Sequence, residues 1–157
     1  MTGVVCWFTG LPSSGKTTLA RAVAAQAPGA VLLDGDEVRA ALRPAPAYDE
    51  ASREAFYETL ARLAATLAAQ GHVVLVPATA HRRGFRALAR RLAPRFVEVF
   101  VDTPPEECRR RDAKGLYARG EAQAPGVGVT YEPPDAPDVV VRPGDADGVE
   151  RVVAALR

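Results

Sequence analysis

Apolar positions along this chain fall into short continuous runs and longer stretches of helical period, and the two kinds alternate. Val4 to Thr9 is a run of strand length and predicts a buried strand; the Ala-rich stretch Thr18 to Gln26 predicts a helix. Val31–Leu33 predicts a second strand ending in Asp34-Gly35-Asp36, then a short helix to about Leu42 that Arg43-Pro44-Ala45-Pro46 breaks. From Asp49 to Gln70, Ala55, Leu60, Leu63, Ala64 and Leu67 recur at helical spacing, and Gly71 supplies a C-terminal stop. His72–Val76 predicts a third strand, and Arg82–Leu92 a basic amphipathic helix halted before Pro94. Phe96–Val101 predicts a fourth strand, and Thr103-Pro104 opens a helix carrying Glu106 to Asp112. Ala113 to Pro137 is rich in Gly and Pro with little periodicity, after which Val139–Val141 and Ala146–Leu156 predict a last strand and a closing helix.

Five strands interleaved with helices predict an α/β protein: a mostly parallel five-stranded sheet covered by helices on both faces, in three layers. Ligands in such sheets collect at the carboxyl ends of the strands. Four turns fall on that edge, at Gly10, at Asp34–Asp36, at Thr79 and at Asp102. The irregular stretch of about 113–137 adjoins the same edge and reads as a lid.

Bulk properties change this picture little. The 157 residues suit one domain spanning 1–157, and 48% apolar with 25% charged residues is an ordinary globular composition. A net charge of +1 gives no electrostatic argument for a nucleic-acid or membrane partner. Cys6 and Cys108 read as reduced thiols, and the two histidines are not placed to complete a zinc site with them. No apolar run approaches membrane-spanning length and the N-terminus lacks a signal-peptide charge pattern, so the expectation is cytoplasmic.

The chemistry concentrates in Gly10-Leu11-Pro12-Ser13-Ser14-Gly15-Lys16-Thr17-Thr18, which fits G-x-x-x-x-G-K-[ST] between a predicted strand and a predicted helix. Such a turn aims consecutive backbone N–H groups inward, and the helix start adds unpaired donors and its positive dipole end. Lys16 would reach the β- and γ-phosphates, and the Thr17 hydroxyl would take one Mg²⁺ coordination site. A P-loop NTPase fold binding a nucleoside triphosphate with Mg²⁺ follows. A kinase also needs a carboxylate at the acceptor hydroxyl. Asp34 and Asp36, one residue apart, would share a face in an extended segment; the plainer reading is a helix N-cap. Arg39 lies a helical turn beyond Asp36, and its planar fork suits paired anionic oxygens. Arg53 is a similar candidate. The helix bearing Arg82, Arg83, Arg86, Arg90 and Arg91 reads as a solvated face, with only Arg82 near a site. His81 reads as an incidental loop imidazole, and Trp7 and Phe8 as core beneath the phosphate loop.

Several separated stretches resemble the adenylylsulfate kinase family: Trp7-Phe8-Thr9-Gly10-Leu11 with its phosphate loop, Leu33-Asp34-Gly35-Asp36-Glu37-Val38-Arg39, Val97 to Pro104, Arg111-Asp112-Ala113-Lys114-Gly115-Leu116-Tyr117, and Tyr131 to Pro137. The resemblance implies transfer of the ATP γ-phosphoryl to the ribose 3′-hydroxyl of adenylyl sulfate. It implies Asp36 as base toward that hydroxyl, Arg39 and Arg53 on the phosphosulfate end, and Tyr48 stacked on the acceptor adenine. Thr79 takes the place of a loop serine, and Arg111 with its neighbours matches the segment flanking the ATP adenine. Relatives of this type commonly form dimers, which makes a homodimer a candidate assembly. The family's Asn and two arginines beyond Arg53 are here Phe56, Glu58 and Thr59, and its lid motif here reads Ala122-Gln123-Ala124-Pro125-Gly126. Those differences keep a second reading open, a related kinase with another nucleotide or small hydroxyl acceptor; a third is a nucleotide-binding module without turnover.

Overall fold

Trp7 and Phe8 point to opposite sides of the first strand, and the alternation they belong to divides the molecule into two cores. A computed structural model describes residues 2–112, 115–120 and 128–157. Along β1 (Val4–Thr9) every residue is buried, as a strand covered on both faces requires. Val5 and Trp7 face α3 (Glu50–Ala69) and α4 (Arg83–Leu92), meeting Phe56, Tyr57, Leu60 and Phe85. Val4, Cys6 and Phe8 face α1 (Lys16–Ala25) and α6 (Gly148–Leu156), meeting Ala20, Val23 and Val152. Fully burying a Val or Phe side chain contributes about 1.5–3 kcal/mol, so these strand residues anchor both layers.

The sheet is completed by β2 (Val31–Leu32), β3 (Val73–Pro77), β4 (Phe96–Val101) and β5 (Val139–Val141) in the order β2-β3-β1-β4-β5. All its pairings are parallel, in agreement with the interleaved pattern. The chain moves outward from β1 to β2, returns to β3 and then crosses to β4. The carboxyl end of β1 therefore lies at the strand-order reversal where α/β sheets bind ligands. The remaining helices, α2 (Gly35–Ala41) and α5 (Pro105–Arg111), start from that same edge. None of the helices among the described residues is long and apolar enough to cross a membrane.

Local stops account for the element ends. Asp49 caps α3 by accepting from the Ser52 amide at 2.9 Å, and Gly71, at φ 95°, ends it. There the amides of Gly71 and His72 return to the carbonyls of Ala68 and Leu67, closing the terminal turn. The strand expected at His72–Val76 is displaced by one residue, and α1 begins two residues before the expected Thr18.

One expectation for the basic helix fails. Arg83 and Arg90 do lie at the surface, paired with Asp135 and Asp138, but Arg86 is 2% exposed and bonds Glu98 inside the molecule. The sequence pattern counted Arg86 with the polar stripe because nothing local marks which arginine has an internal carboxylate waiting on another strand.

Candidate active site

The turn after β1 is shaped by contacts that leave no room for a side chain at Gly10. A Cβ on Gly10 would stand 2.7 Å from the Val101 carbonyl oxygen and 2.8 Å from Ser14 Oγ. Gly15 sits at φ 102°, a left-handed conformation that glycine adopts without penalty. The Thr103 hydroxyl donates to the Ser14 carbonyl at 2.7 Å and ties the turn to the end of β4. The Lys16 ammonium donates to the carbonyls of Gly10 and Leu11 at 3.1 and 2.7 Å, holding its charge over the loop. Gly15 at the N-cap offers no side chain to the first turn of α1, so that turn's amides face the cavity as an anion site.

The cavity in front of this loop has a volume of about 580 Å³ and runs from Pro12, Ser13 and Lys16 to Asp36, Arg39, Tyr48, Arg53 and Thr79. At one end Arg111, in the last turn of α5, donates to the Ser14 carbonyl and to Glu107. Beyond it the Asp112 carboxylate accepts from the amides of Tyr117 and Ala118, making a turn that brings Leu116 and Arg119 to the cavity. The Tyr117 hydroxyl donates to the Pro12 carbonyl at 2.9 Å, and burial pushes this phenol up to about 12, so it remains a donor. Neither Leu116, Arg119 nor this Tyr117–Pro12 bond was assigned a specific role from sequence.

At the other end, Asp34 and Asp36 part company. Asp34 is buried and caps α2, accepting from the amides of Asp36 and Glu37, while its second oxygen accepts from the Thr17 hydroxyl at 2.7 Å. It does not line the cavity, so the expected shared face is replaced by a cap and a helix. Asp36, in the first turn of α2, is exposed and lines the cavity. Thr17 and Asp34 together offer hard oxygen donors beside the phosphate loop, a donor set that fits magnesium.

Arg39, one turn beyond Asp36, is held between two rings, its guanidinium carbon 4.5 Å from the Tyr48 ring centre and 4.4 Å from that of Phe56. One of its terminal nitrogens donates to the Pro46 and Ala47 carbonyls. Arg53 is 7% exposed, donates through Nε to the Tyr48 carbonyl, and also lines the cavity. Tyr48, 53% exposed, presents a ring that already meets Arg39 and, at 5.7 Å from its centre, the Arg53 guanidinium carbon. Phe56 and Tyr57 belong to the cavity wall as well. Their spacing of three and four residues from Arg53 on a helix was the signal that could have placed them there.

Arg82 does not reach this cavity. It is the N-cap residue just before α4, bonds Glu50 through Nε at 2.9 Å and faces a groove between α3 and α4. His81, read as incidental, is instead 1% exposed with Nε2 3.0 Å from a Glu50 carboxylate oxygen. Its Nδ1 is buried with no partner among the described residues, and burial lowers the imidazole below its ordinary range against the pull of Glu50. Of the expected lid, residues 113, 114 and 121–127 lie outside the described residues, including the whole Ala122–Gly126 motif.

Comparison with known proteins follows both ends of this cavity. Residues 2–142 match the family profile described as adenylylsulphate kinase. An adenylyl-sulfate kinase of Synechococcus sp. (strain JA-2-3B'a(2-13)) is 40% identical, covering 99% of this chain and 95% of its own length. That of Chloroflexus aurantiacus is 45% identical over 89% of this chain and 80% of its own. Among solved structures, the Mycobacterium tuberculosis APS kinase CysC in complex with AMPPNP and APS superposes with a TM-score of 0.87 at 36% identity, over 98% of this chain and 95% of that one. With the phosphate loop, the Asp36 helix and the paired arginines all inside the matched region, this chain belongs to the adenylylsulphate kinase family.

Proposed function

We propose that this protein transfers the γ-phosphoryl group of ATP to the ribose 3′-hydroxyl of adenylyl sulfate. The carrying observation is that Lys16, Asp36, Arg39 and Arg53 line one continuous cavity. Phosphoryl transfer needs little covalent help; it needs two substrates in line and their charge neutralised. The amides of the loop and the Lys16 ammonium hold the donor phosphates, with Arg111 and Leu116 beside the donor base. Asp36 receives or orients the acceptor hydroxyl proton. Arg39 and Arg53 meet the phosphosulfate, Arg39 with its plane already fixed by Tyr48 and Phe56. The exposed Tyr48 ring takes the acceptor adenine, with Thr79 on the wall of the same cavity.

Thr17 would hold magnesium, with Asp34 behind the hydroxyl, and the ion when bound would supply positive charge to offset that of the donor phosphates. The stretch 113–137 serves as the lid, the chain acts as one domain in the cytoplasm, and a homodimer is the assembly to look for.

An ADP-release assay with magnesium-ATP and a panel of acceptors tests the reaction. Strong stimulation by adenylyl sulfate is expected. Stimulation only by a different nucleotide or a small alcohol would redirect the acceptor assignment, and tight ATP binding with no turnover would make the protein a binding module.

A further inference from the structure

Three successive backbone carbonyls in the loop after β3 are each held from a different part of the chain. The Thr79 carbonyl accepts from the Thr9 hydroxyl at 2.6 Å, the Ala80 carbonyl from Arg86 Nη1 at 2.5 Å, and the His81 carbonyl from the Glu132 amide at 2.8 Å. Between them Ala80 stands at φ 46°, in the left-handed region that a residue with a Cβ occupies only when its surroundings hold it there. Thr79, immediately before, lines the cavity.

We propose that Arg86 is a positioning residue for the acceptor side, its buried guanidinium clamping this loop to the stretch that returns after residue 127 and so fixing Thr79 at the cavity wall. The geometry uses the whole fork. Nε pairs with Glu98 at 3.2 Å, Nη1 takes the Ala80 carbonyl, and Nη2 takes the Glu132 carbonyl at 2.6 Å. An ammonium on a flexible stem lacks the fixed divergence these three acceptors require. Tyr131 completes the clamp. Its ring stacks near the guanidinium, 5.6 Å from ring centre to guanidinium carbon, and its hydroxyl is 2.8 Å from Thr9 Oγ1. Thr9 has a single hydroxyl hydrogen, and that hydrogen goes to the Thr79 carbonyl, so Tyr131 is the donor in the second bond. Two routes therefore run from the returning stretch to Thr79, one through Tyr131 and Thr9 and one through Glu132, Arg86 and Ala80. The two routes are joined at the last residue of β1, directly before the phosphate loop, because Arg86 Nη1 also donates to Thr9 Oγ1 at 3.4 Å. Arg86 touches neither substrate's cavity, so its influence is exerted through the loop it holds.

The kinetic consequence rests on the proposed reaction, whereas the mechanical one does not, and the experiment reads both on the full chain. Arg86→Lys keeps the charge opposite Glu98 and loses the fork; Tyr131→Phe leaves the ion pair untouched and removes one hydrogen bond. The first should raise KM for adenylyl sulfate about tenfold, a misplacement effect, with KM for ATP within about twofold of the parent. The second should move the same constant in the same direction by less. In both, backbone hydrogen exchange should speed up across 79–82 and leave α6 at the parent rate. Parallel rises in both KM values, or unchanged exchange at 79–82 in folded variants, would overturn the clamp. If Arg86→Lys does not fold, Tyr131→Phe decides alone on the same two readouts. If the parent protein itself shows no turnover with adenylyl sulfate, the proposed reaction fails, and the exchange measurement still decides for or against Arg86.

Discussion

The phosphate cradle at the donor end is built on one unbroken stretch, Gly10 to Thr18, whereas the acceptor end is made of side chains from four separate places. Asp36 and Arg39 come from α2, Tyr48 from the loop before α3, Arg53 and Phe56 from α3, and Thr79 from the loop after β3. A backbone cradle tolerates few changes because its geometry depends on two glycines and a helix start. A side-chain wall can be rebuilt position by position while the sheet beneath it stays the same. Phe56 illustrates this: a side chain from α3, it forms one face of the stack around Arg39. Both ends nevertheless share one anchor, since Thr9 at the end of β1 precedes the phosphate loop and also holds the Thr79 carbonyl.

This contrast can be probed from its strongest point downward. Lys16→Ala should lower turnover on the order of 10³-fold and weaken ATP binding together, because the ammonium serves the ground state and the transition state alike. Steady-state kinetics with nucleotide titration would show it, and an intact ATP affinity would remove Lys16 from the donor site. Asp36→Asn should lower kcat by about 10²–10⁴-fold while ATP affinity stays near the parent value, the signature of an acceptor-side acid–base group. Unchanged turnover would leave Asp36 with no part in proton transfer. Phe56→Leu keeps most of the volume and removes one π face from Arg39; losing about 1 kcal/mol there raises KM for the acceptor roughly fivefold. KM for ATP should not follow, and if it does the two ends are not separable.

The smallest effect concerns His81. Burial holds its imidazole below the ordinary value of 6.5, so the neutral ring is the form the fold prefers. As pH falls, the unfolded chain takes up this proton first, and the folded state loses stability from about pH 6.5 down through the folded-state pKa. A single group of this kind contributes a slope of at most about 1.4 kcal/mol per pH unit. Denaturant unfolding of the parent and of His81→Asn between pH 5 and about 8 should differ in that direction, the variant showing the flatter profile. Equal slopes would mean that Glu50 fully compensates the buried charge.

Much of the donor end was readable without any structure. A strand, a glycine turn with Lys16 and Thr17, and a helix carry their meaning in adjacent residues, and chain continuity brings them together. Arg39 was readable for a similar reason, lying one helical turn from Asp36. Asp34 was only half readable, because whether it extends into the cavity or caps α2 depends on where the helix begins. His81 and Arg86 were misread. Their partners, Glu50 and Glu98, are far away in the chain, and an isolated polar residue in a sequence looks the same whether it meets water or a buried carboxylate.

From residue order alone came the alternation of strands and helices, the parallel sheet covered on both faces, and the phosphate loop with its lysine. These rest on periodicity and on contacts between near neighbours, which a linear string records. Tertiary structure alone decided the strand order, the stacking of Arg39 against Tyr48 and Phe56, and the burial of Arg86 among the Glu98 carboxylate and the carbonyls of Ala80 and Glu132. Each of those depends on which distant segments meet across the sheet, and pairing energies between such segments leave no local mark on the sequence.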